Sequence, residues 1–176
     1  MRQAVAQQHF GFYSAAEFEV DALIARHPRL RFLELGRSCV APGYRGKRTI
    51  EVLWRGVWAY ALRHRIDVMF GCASLPGVDP AARAALDLPQ AGPEWGAAPV
   101  AGARVAALSP SVRDARAALR DLPPLVKGYL RLGARFGGQA VIDEAFGVTD
   151  LFVVLRVADI EARYLQHFAP ERPIAA

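Results

Sequence analysis

RFLELGRSCVAPGYRGKRTIEVLWRGVWAYALRHRIDVMFGCAS, residues 31–74, decides how this chain folds. Residues 32–40 read as a buried strand and 42–47 as a tight turn built on Pro42, Gly43 and Gly46. Residues 49–63 read as a helix and 66–72 as a second, almost wholly apolar strand. Strand, turn, helix and return strand make a βαβ unit. Its turn brings backbone N–H groups and cationic side chains to a helix N-terminus, where a phosphorylated group is favoured.

Within the first strand, Phe32, Glu34, Gly36 and Ser38 share one face, and Leu33, Leu35, Arg37 and Cys39 the other. A carboxylate in such a strand is costly unless it is partnered or functional, so Glu34 stands out. Glu34 and Arg37 fall on opposite faces, and pairing them directly needs a bulge, for which Gly36 is the site. In the helix, Ile50, Leu53, Val57 and Ala61 form a stripe at helical spacing, with Trp54 and Trp58 packing beside it.

Outward from this unit the signals are weaker. Residues 10–18 (FGFYSAAEF) are aromatic-rich, and Ser14 with Glu17 has capping-box spacing, which predicts a helix or turn start. Residues 21–27 read as a helical turn stopped by Pro28. Asp79 and Pro80 open a helix over 80–86. Residues 88–103, rich in Gly, Pro and Ala, read as a surface loop or lid. Helices are expected over 109–120 and from the Pro123-Pro124 pair to about 133. Strands are expected over 140–143 and 150–157, with a closing helix over 159–168.

The 176 residues suit one domain, 1–176, with a sizeable core. Apolar content of 53% against 22% charged fits a globular chain rather than a disordered one. No apolar run is long enough to span a membrane, and the first ten residues lack the build of a signal peptide. Cys39 and Cys72 read as reduced, buried thiols of a cytoplasmic protein. The net charge is +5, but residues 26–65 alone carry +8, leaving −3 for the rest. That concentration favours an anionic partner.

Motif searches prune the chemistry. No Walker loop, dinucleotide fingerprint, zinc spacing or nucleophile elbow is present, so no metal site and no resident cofactor are expected. No nucleic-acid motif is present either, and the aromatics lie on core stripes, so nucleic acid is not an expected partner.

What remains has a pattern. The blocks LELGRSCVAPGYRGKRTIEVLWRG, FGCASLPGVDP, LPPLVKGYLRLGA and VIDEAFGVTDLFVVL, in this order across almost the whole chain, resemble the bacterial ornithine–acyl carrier protein N-acyltransferases. That family lies in the GNAT superfamily and is related to acyl-homoserine lactone synthases. The resemblance implies an α/β domain with a mixed central sheet flanked by helices. It also implies that the family's opening strands precede this segment, leaving the sheet without its first strands. The implied reaction moves a 3-hydroxyacyl chain from the phosphopantetheine thioester of an acidic acyl carrier protein to the amine of L-ornithine, giving a lyso-ornithine lipid. A different amine, a lactone-type product or a non-catalytic binding module are the alternatives. An amphiphilic product and a basic βαβ unit also imply peripheral contact with the inner membrane surface.

By the same resemblance, Glu34 is the proton acceptor for the amine, with a salt-bridged structural role as its alternative. Arg37 and Ser38 orient Glu34 or hold the amino-acid carboxylate. A backbone N–H near Val40, where two parallel strands splay, holds the thioester oxyanion. Arg45, Gly46, Lys47 and Arg48 take the donor phosphate. Here the turn departs from the superfamily's later glycines, since Arg48, Thr49 and Ile50 follow Lys47. The resemblance also makes Asp143 and Asp150 candidates to meet the ornithine side-chain cation, with a capping or turn-forming role as the alternative for either.

Overall fold

The computed structural model describes residues 1–6, 11–36, 39–44, 47–78, 88–107 and 122–168. Its elements in chain order begin with α1 (Gln3–Ala6), a 3-10 turn (Tyr13–Ala16), α2 (Val20–Arg26) and β1 (Phe32–Glu34). A second 3-10 turn (Pro42–Tyr44), α3 (Lys47–Arg63) and β2 (Val68–Pro76) complete the βαβ unit. Then come α4 (Gly92–Trp95), β3 (Val105–Ala107), α5 (Pro124–Arg131), β4 (Arg135–Asp143), β5 (Val148–Arg156) and α6 (Ala162–Phe168). The sheet order is β1-β2-β5-β4-β3. β1 runs parallel to β2, and the other neighbours are antiparallel. This is the mixed α/β sheet that the sequence implied.

Both faces of the sheet are covered, which is why β2 and β5 read as continuous apolar runs. Alternate residues go to opposite sides. Met69, Ala73, Leu151, Val153 and Leu155 meet Trp54, Trp58 and Ala61 of α3, Val126 and Tyr129 of α5, and Ile160. Val68, Phe70, Phe152 and Val154 meet Phe12, Phe18, Val20 and Leu23 from the N-terminal segment. The α3 stripe is rotated from the expected one. Trp54 and Trp58 are buried and Leu53 is exposed, because the tryptophans remove more apolar surface from water.

Several expected boundaries shift. β1 ends at Glu34 rather than at residue 40, although Leu35 N still donates to Phe70 O (2.7 Å). The Pro42-Gly43 pair then takes the chain into a turn, where proline has no N–H to give a ladder. β2 starts at Val68 because Arg65 (φ 50°) turns the chain, and Arg31 N donates to Asp67 Oδ2 (2.8 Å) across the entry. β2 runs on to Pro76 because β5 pairs it along its whole length. β4 begins at Arg135, earlier than its apolar run, since a register shift between Phe136 and Ala140 carries Gly137 and Gly138 through the ladder. The 88–103 stretch is no open loop. It holds α4, buries Leu88, Ala91 and Ala97, and stacks Trp95 on His27 at 4.0 Å, with Arg156 above the indole. β3 lies just beyond it and gave no strand signal. The expected helices over 80–86 and 109–120 lie outside the described residues.

One glycine fixes where β1 and β2 meet. A Cβ on Gly71 would lie 2.7 Å from Leu35 O, so only glycine lets the strands approach there. Gly71→Ala is expected to cost about 1–3 kcal/mol, read as a lower urea midpoint with an unchanged m-value.

Candidate active site

Past Leu35 the parallel strands part, and two cavities open around that residue. The first, about 330 Å³, is apolar: Leu35, Val40, Ile50, Leu53, Trp54 and Val57 form most of its wall, with Pro123, Pro124, Leu125 and Tyr129 opposite. The second, about 380 Å³, carries Glu17, Asp143 and Asp150, with Tyr13, Cys72 and Ser74 beside them. Leu35, Leu125 and Tyr129 line both. A greasy groove and an acidic pocket therefore share one wall.

Local chain geometry supplies each group. Antiparallel pairing sets Ser74 opposite Asp150, and Ser74 Oγ donates to Asp150 Oδ1 (2.5 Å). Asp143, at the end of β4, accepts the Phe146 N–H in the tight turn to β5 (3.0 Å). Tyr129 sits on α5 edge-to-face with Trp54, ring centres 5.4 Å apart. Glu17 follows the 3-10 turn directly. Its Oε2 is enclosed and finds no hydrogen-bond partner among the described residues. Glu17, Asp143 and Asp150 each bring a carboxylate oxygen within 4.8 Å of the others, enough to hold a cation, ammonium or metal.

The electrostatics follow from crowding like charges in a half-dry pocket. Burial first, then the Asp150 charge, push the Glu17 carboxyl above the usual range; a hydrogen bond from the Cys72 thiol opposes them, and the Asp143 charge adds a lesser push. Burial also raises Asp150, with Asp143 adding to it and the Ser74 hydroxyl opposing it. Burial pushes the Tyr129 hydroxyl up to about 12, helped by Cys72, so it is a neutral donor. Burial likewise raises the Cys72 thiol, which stays protonated and fits a core thiol rather than a nucleophile. Cys39, read as buried, is exposed, because the chain has left the sheet before it.

Glu34 is 3% exposed and is not among the residues lining either of these cavities. Its Oε1 accepts Ser14 N (2.6 Å) and Ser14 Oγ (2.7 Å), and its Oε2 accepts Tyr13 N (3.0 Å). Ser14 is thereby drawn away from the capping box with Glu17, since a buried carboxylate demands donors more strongly than a short helix start does. Val40 reaches the apolar groove, and Asp143 reaches the acidic pocket. Lys47 opens α3, and Arg48 is exposed on its first turn. Arg37, Ser38, Arg45 and Gly46 lie outside the described residues.

Sequence reasoning noticed Glu17 only as a capping residue and gave Tyr129 no role. Both are brought to the site by long-range packing. The one local hint was that a carboxylate ends an otherwise aromatic and small stretch.

Comparison with known proteins agrees with this architecture. Residues 1–55 match the model of the acetyltransferase (GNAT) domain. The chain is 50% identical to the L-ornithine N(alpha)-acyltransferase of Agrobacterium fabrum, over 97% of this chain and 61% of that protein. Identity is 48% to its namesake from Rhizobium meliloti and 49% to that from Brucella abortus, again over 97% of this chain, and over 60% and 63% of those proteins. The chain thus spans about three fifths of the length of these relatives. No solved structure matches it. Over the part of their length that it spans, the chain is similar in sequence to the L-ornithine N(alpha)-acyltransferases of these bacteria.

Proposed function

We propose that this chain carries the acyl-transfer site of an L-ornithine N(alpha)-acyltransferase. The observation that carries the reading is the shared wall at Leu35, Leu125 and Tyr129 between an apolar groove and an acidic pocket. A fatty acyl thioester suits the first, and an amino acid with a second, side-chain ammonium suits the second. Their reacting atoms meet at the wall.

The amine nitrogen attacks the thioester carbonyl, an N–C bond forms, and the C–S bond breaks. One amine proton passes to Glu17, whose raised affinity for protons and unpartnered oxygen suit it as base. The departing thiolate takes up a proton by way of the Tyr129 hydroxyl, which regains one from protonated Glu17, so the amine proton ends on the thiol and both side chains return to their starting states. Asp143 and Asp150 hold the distal ammonium of ornithine. A backbone N–H near Val40 holds the oxyanion. Arg37 and Ser38 take the amino-acid carboxylate. Arg45, Gly46, Lys47 and Arg48 take the donor phosphate, and the donor is the 3-hydroxyacyl phosphopantetheine thioester of an acidic acyl carrier protein. No helix among the described residues is long and apolar enough to cross a membrane, and an amphiphilic product is delivered by peripheral contact with the cytoplasmic face of the inner membrane.

The test is a product assay. Purified chain is incubated with 3-hydroxyacyl carrier protein and a pool of amino acids, and acylated amines are read by mass spectrometry. Acyl-ornithine supports the reading. Acylation of another amine replaces the acceptor, and no product overturns the reading for this chain. Ile50→Trp, which narrows the groove, is expected to raise KM for the acyl donor about 10- to 200-fold. Ornithine binding, followed by calorimetry, is expected to stay unchanged.

A further inference from the structure

We infer that Glu34 acts on the reaction as a positioning residue, locking from the sheet the turn that carries Tyr13 and Glu17 into the acidic pocket. The inference rests on the acyl-transfer reading above, and it moves the strand carboxylate out of contact with substrate.

The first N–H groups of a short helical turn have no partner within the turn. In the turn Tyr13–Ala16 these include Tyr13 N and Ser14 N, and Phe12 at the N-cap offers no side-chain cap. Glu34, some twenty residues away, supplies the cap with both carboxylate oxygens and also accepts the Ser14 hydroxyl. Three donors take three of the carboxylate's roughly four acceptor sites, two of them in bonds to fixed backbone, and Glu34 lines neither cavity. Glu34 is itself held in the ladder. Its N–H donates to Met1 O (2.8 Å), and the next residue, Leu35, is bonded to Phe70 of β2. The turn therefore inherits the rigidity of the β1-β2 pair.

The other end of the turn is also tied. Phe18 N donates to Ser14 O (2.9 Å), the Phe18 ring is fully buried against Phe152 (5.5 Å), and Glu17 O accepts Val100 N (2.9 Å). Glu17 lies between these anchors, and its side chain is the part left to face the pocket. Releasing the Glu34 cap loosens the Ser14 side of Glu17, while the buried Phe18 ring and the bond from Val100 N to Glu17 O still hold the other side. Glu34 thus reaches the chemistry through geometry alone.

Glu34→Gln, Ser14→Ala and Glu17→Gln are compared with the wild type by two measurements. The first is amide hydrogen exchange at Tyr13 and Ser14, with no substrate present. Glu34→Gln is expected to speed it about 10-fold or more, the loss of hydrogen bonds to a charged acceptor. The second is the pH profile of kcat/KM for acyl-ornithine formation. Glu34→Gln and Ser14→Ala are expected to lower the plateau about 10-fold each and to keep the acid limb, since moving a base out of alignment costs rate without removing its titration. Glu17→Gln is expected to lose that limb. Ser14→Ala removes one of three bonds and keeps the fold if Glu34→Gln does not. Loss of the acid limb in Glu34→Gln, with Glu17→Gln retaining it, makes Glu34 the base and overturns the inference. Unchanged exchange at Tyr13 and Ser14 in Glu34→Gln overturns the clamp. A wild type that transfers no acyl group overturns the reaction and Glu34's part in it, while the exchange result still judges the clamp.

Discussion

Glu17→Gln is expected to lower kcat/KM for acyl transfer about 100- to 10,000-fold, the usual worth of a positioned general base. The same change is expected to raise thermal stability near neutral pH. Glu17 has its proton affinity raised by burial and by the facing carboxylates Asp150 and Asp143, with the Cys72 thiol as the other titratable group against it. A carboxyl raised in the folded state stabilises the fold fully below its unfolded value, about pH 4. That contribution is lost as pH rises through the folded value. At neutral pH the wild type therefore holds a charge that the fold disfavours, and glutamine removes it. Thermal melts of both proteins from pH 4 to pH 8 check this. The two curves should converge in acid and separate toward neutral pH, with the variant above. Activity runs the opposite way for the wild type. Its kcat/KM should fall as pH falls through the raised value, because the protonated carboxyl accepts nothing. A stability gain coupled to a loss of turnover is the signature of a site built at the expense of the fold.

Asp150→Asn carries the second large effect, and it concerns choice of acceptor. Asp150 is 4% exposed, opens onto the acidic pocket and is bonded by the Ser74 hydroxyl. Its other oxygen is available to a distal ammonium, with Asp143 and Glu17 close by. A charge-assisted hydrogen bond of this kind contributes about 1.5–3 kcal/mol. KM for ornithine should therefore rise about 10- to 150-fold in Asp150→Asn, by the conversion of that range. The comparator is norvaline, which has the same carbon chain and no distal ammonium. For norvaline the variant should match the wild type or exceed it, since the uncompensated carboxylate repels nothing but costs desolvation. Equal losses for both amino acids would remove Asp150 from acceptor recognition. Affinity for ornithine in the wild type should also weaken in acid, as Asp150 and Glu17 take up protons.

The βαβ unit was legible in residues 31–74 because its signals are local. Apolar runs, a Pro-Gly turn and a helical stripe need no knowledge of the rest of the chain. The order of blocks carried the resemblance to the N-acyltransferases. Asp143 and Asp150 were candidates only through the family resemblance, which called for acidic groups to meet a second ammonium. Glu34 was conspicuous as a carboxylate inside a strand, but what it does was not. Its three partners come from Tyr13 and Ser14, and no local pattern links those positions. Glu17 shows the converse. Its spacing from Ser14 is a genuine capping signal, overridden when a buried carboxylate claimed the serine. The rotated stripe of α3 and the early end of β1 have similar causes, in the area a tryptophan removes from water and in the 2.7 Å approach permitted by Gly71.

Sequence by itself thus determined the strand–helix–strand core, because periodicity and composition act over a few residues, while the mixed sheet was expected only through the resemblance of its blocks to a known family. Only the tertiary structure decided which carboxylate faces the pocket and which is spent as a cap. It alone set Leu35, Leu125 and Tyr129 as the wall between groove and pocket. Those outcomes depend on competition for buried donors and on close packing between segments distant in the chain, and such competition is settled only when the segments meet.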